Sequence, residues 1–282
     1  MRNYRHIEVR PIAGALGAEL HGVDISRDLD DDVVAEVRQA FLDHLVIFLR
    51  DQKVTPQQNV AFARKFGELI KYPQLDGLPE APFITAVVKL ENERHNFGGL
   101  WHSDTTYLEI PPMGSMLLAR EVPPYGGDTV FANQYMAYEA LSDGLKATLE
   151  GLIGVSSSTK AEVSKTREDR LKAAGKETKP LTAEHPIVRT HPETGRKALY
   201  IGDKVSCLVG MTEEESKPLI DYLVRHATRP QFVYRHQWKQ DDILLWDNRC
   251  TMHIALGDYE EGETRHLERT TVKGTPSGYY LQ

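Results

Sequence analysis

Ile243-Leu244-Leu245-Trp246-Asp247-Asn248-Arg249 decides how this chain is read. A short apolar run that gives way at once to charge has strand length and reads as a buried strand entering a polar turn. Short runs of the same kind, separated by turns, recur from Ile84 onward, at 84–90, 115–121, 129–133, 187–190, 197–201, 231–238 and 267–273. Thr190-His191-Pro192-Glu193-Thr194-Gly195-Arg196 joins two of them and has the composition of a hairpin turn. Ahead of this region, 7–9, 18–23 and 44–50 read as strands. An acidic stretch, 28–32, suits the start of a helix running to about His44, where negative charge meets the helix dipole. Thr55-Pro56-Gln57-Gln58 supplies a cap and a first-turn proline for a helix ending near Phe66-Gly67. Helices are also expected at 135–150 and, behind Thr212 and Glu215, at 212–226. The expected fold is therefore mainly β with flanking helices (α+β), a sandwich or closed sheet.

The chain has 282 residues, 40% of them hydrophobic, and a formal net charge of −7. That suffices for a sizeable core in a single domain spanning 1–282. The acidic balance argues against a nucleic-acid binder. No apolar stretch approaches membrane-spanning length, and Met1–His6 lacks the apolar core of a secretion signal, so a cytoplasmic protein is expected. Two cysteines, Cys207 and Cys250, are too few for a disulfide framework and are read as free structural thiols. The polar segment 156–184, rich in lysine and with a short helix expected at 167–174, reads as a flap over a cleft or a solvated insertion.

His102-Ser103-Asp104 stands out chemically. Residues two apart in an extended segment face the same way, so an imidazole and a carboxylate reach one point. They would be two thirds of the two-histidine, one-carboxylate facial set that holds non-haem Fe(II) with positions left open. The spacing alone is weak evidence in an acidic chain. His191-Pro192-Glu193 shares it but falls in the hairpin turn. His253, just past the apolar strand, is the candidate third ligand. Arg265 and Arg269 follow at even spacing, which places both guanidiniums on one strand face, and burying them requires anions. Gly126-Gly127-Asp128-Thr129 lacks the spacing of a phosphate loop. The tryptophans, Trp246 included, read as core or pocket wall.

Taken in order, Phe48-Leu49-Arg50-Asp51-Gln52, Thr55-Pro56-Gln57-Gln58, Phe66-Gly67-Glu68-Leu69, Trp101-His102-Ser103-Asp104, Gly126-Gly127-Asp128-Thr129, Val188-Arg189-Thr190-His191-Pro192, Trp246-Asp247-Asn248-Arg249 and His253 resemble the taurine/2,4-D dioxygenase-type family of Fe(II)- and 2-oxoglutarate-dependent oxygenases. The resemblance runs nearly end to end and implies a double-stranded β-helix (a cupin-like jelly roll). It implies His102, Asp104 and His253 as iron ligands. Thr129 and Arg265 would hold the distal carboxylate of 2-oxoglutarate beside Trp246, and Arg269 would lie near both co-substrate and substrate. The implied activity is an oxidoreductase reaction in which O2 and 2-oxoglutarate are consumed, a small anionic organic substrate is hydroxylated, and succinate and CO2 form. Cleavage of a C–O or C–S bond can follow. Dimers or tetramers are expected by the same resemblance.

The substrate wall departs from the taurine-specific pattern, with Tyr72 in place of a histidine, Leu75 in place of a tyrosine and Gly98 in place of an asparagine. Asn96-Phe97-Gly98-Gly99 and Cys250-Thr251-Met252-His253 look closer to members acting on aryloxyalkanoates and other small organic acids, sulfonates or sulfate esters. Tyr72, Phe97 and Arg269 are the expected substrate contacts. Two other functions use the same residues: a non-catalytic jelly roll that binds a dicarboxylate, and a zinc hydrolase.

Overall fold

The structure is a computed structural model and describes residues 4–73, 76–89, 98–159, 179–260 and 262–277. It is mainly β with a few helices, as the strand-and-turn pattern predicts. The largest sheet has eight strands. Its path runs through β1 (Glu8–Pro11), β2 (Ala18–His21), β3 (Val46–Leu49), β14 (Ile243–Asp247), β6 (Gly114–Glu121), β16 (Arg265–Val272) and β4 (Leu69–Ile70), with β5 (Ile84–Lys89) also paired to β16. A smaller sheet is ordered β13 (Val233–His236), β7 (Thr129–Asn133), β15 (Thr251–Ala255).

Side-chain alternation along the central strands assigns the layers. Ile47 and Leu49 of β3, Met116 and Leu118 of β6, and Ile243 and Leu245 of β14 join one apolar cluster. Their neighbours Val46, Phe48, Leu117, Ala119, Leu244 and Trp246 join another. The first cluster is closed by α1 (Asp31–His44) and α2 (Pro56–Arg64), through Val37, Phe41, Phe62 and Ala63. The second is closed by Phe131 of the smaller sheet. On that sheet's other face, Ala132 and Met252 pack with residues of α3 (Gln134–Glu139) and α5 (Glu213–Ala227), and with Leu149 of α4 (Asp143–Leu149). Burial on both faces explains why β3 and β14 read as continuous apolar runs.

One expectation needs correction, and the structure adds detail to two others. The helix foreseen over 135–150 is two helices, α3 and α4. The Ser142 side chain accepts the backbone N–H of Leu145 and starts the second. The turn expected after β14 forms at residues 248–250, and Thr251–Ala255 beyond it is a strand paired to β7. The ends of the proposed flap are strands: β8 (Ile153–Ser157) pairs antiparallel with β9 (Thr182–Pro186), setting Ser156 opposite Ala183 and Ser157 opposite Thr182. Backbone pairing and the inward-facing Ala183 and His185 outweigh the polar composition there. Residues 160–178, with the helix expected at 167–174, lie outside the described residues. The hairpin forms as expected, β10 (Val188–Thr190) pairing with β11 (Lys197–Leu199).

The turn after β14 is pinned by charge. Arg249 grips both carboxylate oxygens of Asp247, at 2.8 and 2.7 Å, and also binds Glu193, which a second arginine, Arg38, reaches at 2.8 Å. The Nε2–H of His191 donates to Asp247 over 3.0 Å. Burial opposes the charge on Asp247, but Arg249 and then His191 outweigh it and hold the carboxyl well below the usual carboxylate range. Glu193 is lowered as well: burial opposes its charge, and Arg249 and Arg38 overcome it. Removing one member of a buried pair strands the other charge, so Arg249→Met should cost about 3–5 kcal/mol in urea unfolding at neutral pH. Both carboxyls titrate lower folded than unfolded, so their contribution is complete above about pH 4 and drains away as the pH falls below it. The gap between wild type and Arg249→Met should therefore narrow in acid.

Candidate metal and anion site

His102 reaches the site through one rung of antiparallel pairing with β15. Its N–H donates to the carbonyl of His253 at 3.0 Å, and the N–H of His253 donates back at 2.8 Å. The imidazoles consequently sit side by side, ring centroids 4.2 Å apart. Gly202 leaves room for this: a Cβ there would lie 3.0 Å from the carbonyl oxygen of Trp101 and 3.2 Å from the Cα of His102. The Ser103 hydroxyl donates to the Thr251 carbonyl, and two residues past His102 the Asp104 side chain returns to the histidine side. Oδ1 of Asp104 lies 3.7 Å from Nε2 of His102 and 3.8 Å from Nε2 of His253. One donor atom from each residue falls within 4.8 Å of the others, and all three side chains are buried.

Tautomer and charge suit a cation. Nδ1 of His102 lies 2.6 Å from the carbonyl oxygen of Leu100, so it carries the proton and Nε2 keeps its lone pair. Burial, the neighbouring His253 and Lys204 push the His102 imidazole well below its ordinary pKa. Burial pushes that of His253 down to about 4 against the pull of Asp104. Both rings are therefore neutral at physiological pH. Burial disfavours a charged Asp104, but Arg269, the two histidines and the Ser115 hydroxyl overcome it and hold the carboxyl well below its usual range.

The same residues line a partly open cavity, shared with Thr129, Trp246, Arg265 and Arg269. Arg265 and Arg269 project from one face of β16, as their spacing requires. Arg269 lies 3.0 Å from Oδ2 of Asp104 and stacks on Tyr72, its guanidinium carbon 4.6 Å from the ring centroid. Arg265 has neutral partners: its Nε–H donates to the Gly127 carbonyl at 2.9 Å, and Nη2 lies 3.4 Å from the Thr129 hydroxyl. Burial lowers its pKa to about 10, and among the described residues no carboxylate lies within ion-pair distance of it. Burying such a cation is costly unless an anion pairs with it.

Trp246 packs on His253, ring centroids 4.8 Å apart. Tyr72 backs the guanidinium of Arg269. Phe97 lies outside the described residues. Gly126-Gly127 serves as the turn that receives Arg265.

In a second buried cluster of ligand-type side chains, His191, Asp247 and Cys250, the histidine has no lone pair left for a metal. Nδ1 of His191 accepts the N–H groups of Glu193 and Thr194, and Nε2–H is committed to Asp247.

Sequence reasoning missed Ser115 and Asn248. Ser115 donates to Oδ2 of Asp104 at 2.6 Å, and Asn248 accepts the backbone N–H of Asp104 at 3.2 Å. Asn248 could have been suspected from its place between Trp246 and Arg249. A lone serine at the head of a strand carries no pattern.

The chain is 35% identical to an alkylsulfatase of Acinetobacter baylyi, covering 96% of this chain and 86% of that protein. It is 34% identical to an alpha-ketoglutarate-dependent sulfate ester dioxygenase of Pseudomonas putida, covering 95% and 90%. The crystal structure of a taurine dioxygenase from Burkholderia xenovorans superposes with a TM-score of 0.81 at 38% identity, covering 97% of this chain and 93% of that one. Residues 8–271 match the family described as taurine catabolism dioxygenase TauD, TfdA, and the chain belongs to that family.

Proposed function

We propose that the protein is a non-haem Fe(II)- and 2-oxoglutarate-dependent dioxygenase that hydroxylates a small anionic organic compound. The observation that carries this reading is the meeting of two neutral imidazoles and one carboxylate beside a buried arginine that lacks a carboxylate partner among the described residues. His102, Asp104 and His253 fit Fe(II) in donor type: two nitrogen lone pairs and one ionised oxygen on one side of the ion, the set that leaves positions open. When bound, Fe(II) supplies the activation of O2 that couples decarboxylation of 2-oxoglutarate to succinate and CO2 with oxidation of a C–H bond. Arg265, with Thr129, holds the distal carboxylate of the co-substrate, where a guanidinium fork suits a carboxylate. Trp246 and Phe131 pack on His253 and keep water from that side of the site.

The sheets form one domain and are read as the two halves of a double-stranded β-helix, with the site between them. Arg269 offers positive charge to the substrate, while Val87, Leu117 and Ala255 give the cavity an apolar wall. That combination suits an anionic head on an apolar body. Aryloxyalkanoates, sulfate esters and alkyl sulfonates all have this form, and the names of the two curated relatives place them on sulfate esters and alkyl sulfates. Hydroxylation of a carbon bearing oxygen or sulfur gives a product that falls apart, so cleavage of the C–O or C–S bond is the expected outcome for these substrates. No described helix is long and apolar enough to cross a membrane, and the two free cysteines fit the cytoplasm. A zinc hydrolase or a passive dicarboxylate binder would leave either the arginines or the open metal positions without a task.

The test is succinate release across a panel of such acids and esters, with Fe(II), ascorbate and 2-oxoglutarate. Turnover should require all three and O2, and His102→Ala and Asp104→Ala should abolish it. Unaltered turnover in both variants would eliminate the metal assignment, and hydrolysis with Zn(II) in the absence of O2 would favour the hydrolase. Arg265→Gln removes a charged hydrogen-bonding partner worth about 1.5–3 kcal/mol, so the KM for 2-oxoglutarate should rise roughly 10- to 150-fold. The KM for the organic substrate should change little, and initial-rate kinetics in both concentrations separate the two.

A further inference from the structure

Asp104 is held in a hydrogen-bond chain whose direction is fixed at every link. The Asn248 side chain faces two groups that can only donate: the indole N–H of Trp246 at 2.9 Å and the backbone N–H of Asp104 at 3.2 Å. Its carbonyl oxygen must meet them, and its amide nitrogen therefore donates to the Ser115 hydroxyl at 3.0 Å. Nη2 of Arg269 also reaches that hydroxyl oxygen, at 3.3 Å. With both lone pairs engaged, Ser115 has only its proton to offer, and the partner is Oδ2 of Asp104, 2.6 Å away. Arg269 donates to the same Oδ2 at 3.0 Å. Oδ2 is thus occupied twice, whereas Oδ1 faces the two histidine nitrogens. Thr105, the next residue, is buried and held at a φ of +40°, a costly conformation for a β-branched side chain that fixes where the Asp104 backbone stops.

We propose that Ser115 and Asn248 are positioning residues that restrict Asp104 to one metal-binding oxygen, and so set how many positions on the ion stay open. The inference rests on the iron reading above. A carboxylate that turned both oxygens to the ion would occupy a position that 2-oxoglutarate or O2 requires. Ser115 blocks that rotation through its proton, and Asn248 blocks it by aiming Ser115. Asn248→Asp preserves the shape but removes the amide donor. It gives the Ser115 proton a competing acceptor, turning it away from Asp104.

The experiment is an anaerobic titration of the metal-free protein with Fe(II), then 2-oxoglutarate, followed by the visible charge-transfer absorption of the chelate. Circular dichroism serves as the check on folding. Ser115→Ala and Asn248→Asp should bind Fe(II) about 10- to 100-fold more weakly, the usual cost of losing a group behind a metal ligand, and should shift or weaken the band. Ser115→Thr, which keeps the hydroxyl, should restore the band. Wild-type affinity and an unshifted band in folded Ser115→Ala and Asn248→Asp would overturn the proposal. A crystal structure of the wild type with Mn(II) decides the matter independently of how the variants fold: one Asp104 oxygen on the ion supports it and two overturn it. Failure of the wild type to bind Fe(II) or Mn(II) at all would instead remove the iron reading on which the proposal stands.

Discussion

One rung of backbone pairing carries the site. His102 and His253 are separated by most of the chain, yet each donates its N–H to the other's carbonyl, at 3.0 and 2.8 Å. That exchange sets the two imidazoles side by side, and the alternation of an extended segment then brings Asp104 to the same point. β15 must itself be held for this to work. It is held on one edge by β7 and at its start by the turn that Arg249, Asp247 and His191 lock with buried charge. The polar network around residues 247–249 is therefore a support for the chemistry rather than a second centre.

Charge compensation divides the site unevenly. Asp104 and Arg269 form a buried ion pair at 3.0 Å, while the partners of Arg265 among the described residues are a carbonyl and a hydroxyl. A buried guanidinium without an anionic partner is costly. The histidines complement this: burial keeps them neutral and their lone pairs available. The cavity thus sets a cluster of two histidines and one carboxylate beside two buried guanidiniums.

Much of this was legible in the sequence where local pattern and burial coincide. Val46–Leu49 and Ile243–Asp247 are apolar because both their faces are buried, so β3 and β14 could be read directly. The even spacing of Arg265 and Arg269 gave their common face. Thr251–Ala255 could not be read so easily, because Thr251 and His253 look like turn residues and are buried only by the sheet beside them. The break between α3 and α4 was available in Ser142-Asp143, a helix-start signal that the apolar periodicity on either side concealed. Ser115 had no signal at all: its importance comes from a partner eleven residues away and another 133 residues away, at Asp104 and Asn248.

The central claim is that His102, Asp104 and His253 share one ion. Titration of the metal-free chain with Mn(II), followed by loss of the free-ion electron paramagnetic resonance signal, measures this directly. The wild type should bind a single ion per chain, and replacing His253 by alanine should abolish that binding. Undiminished binding by a chain lacking both His253 and Asp104 would contradict it.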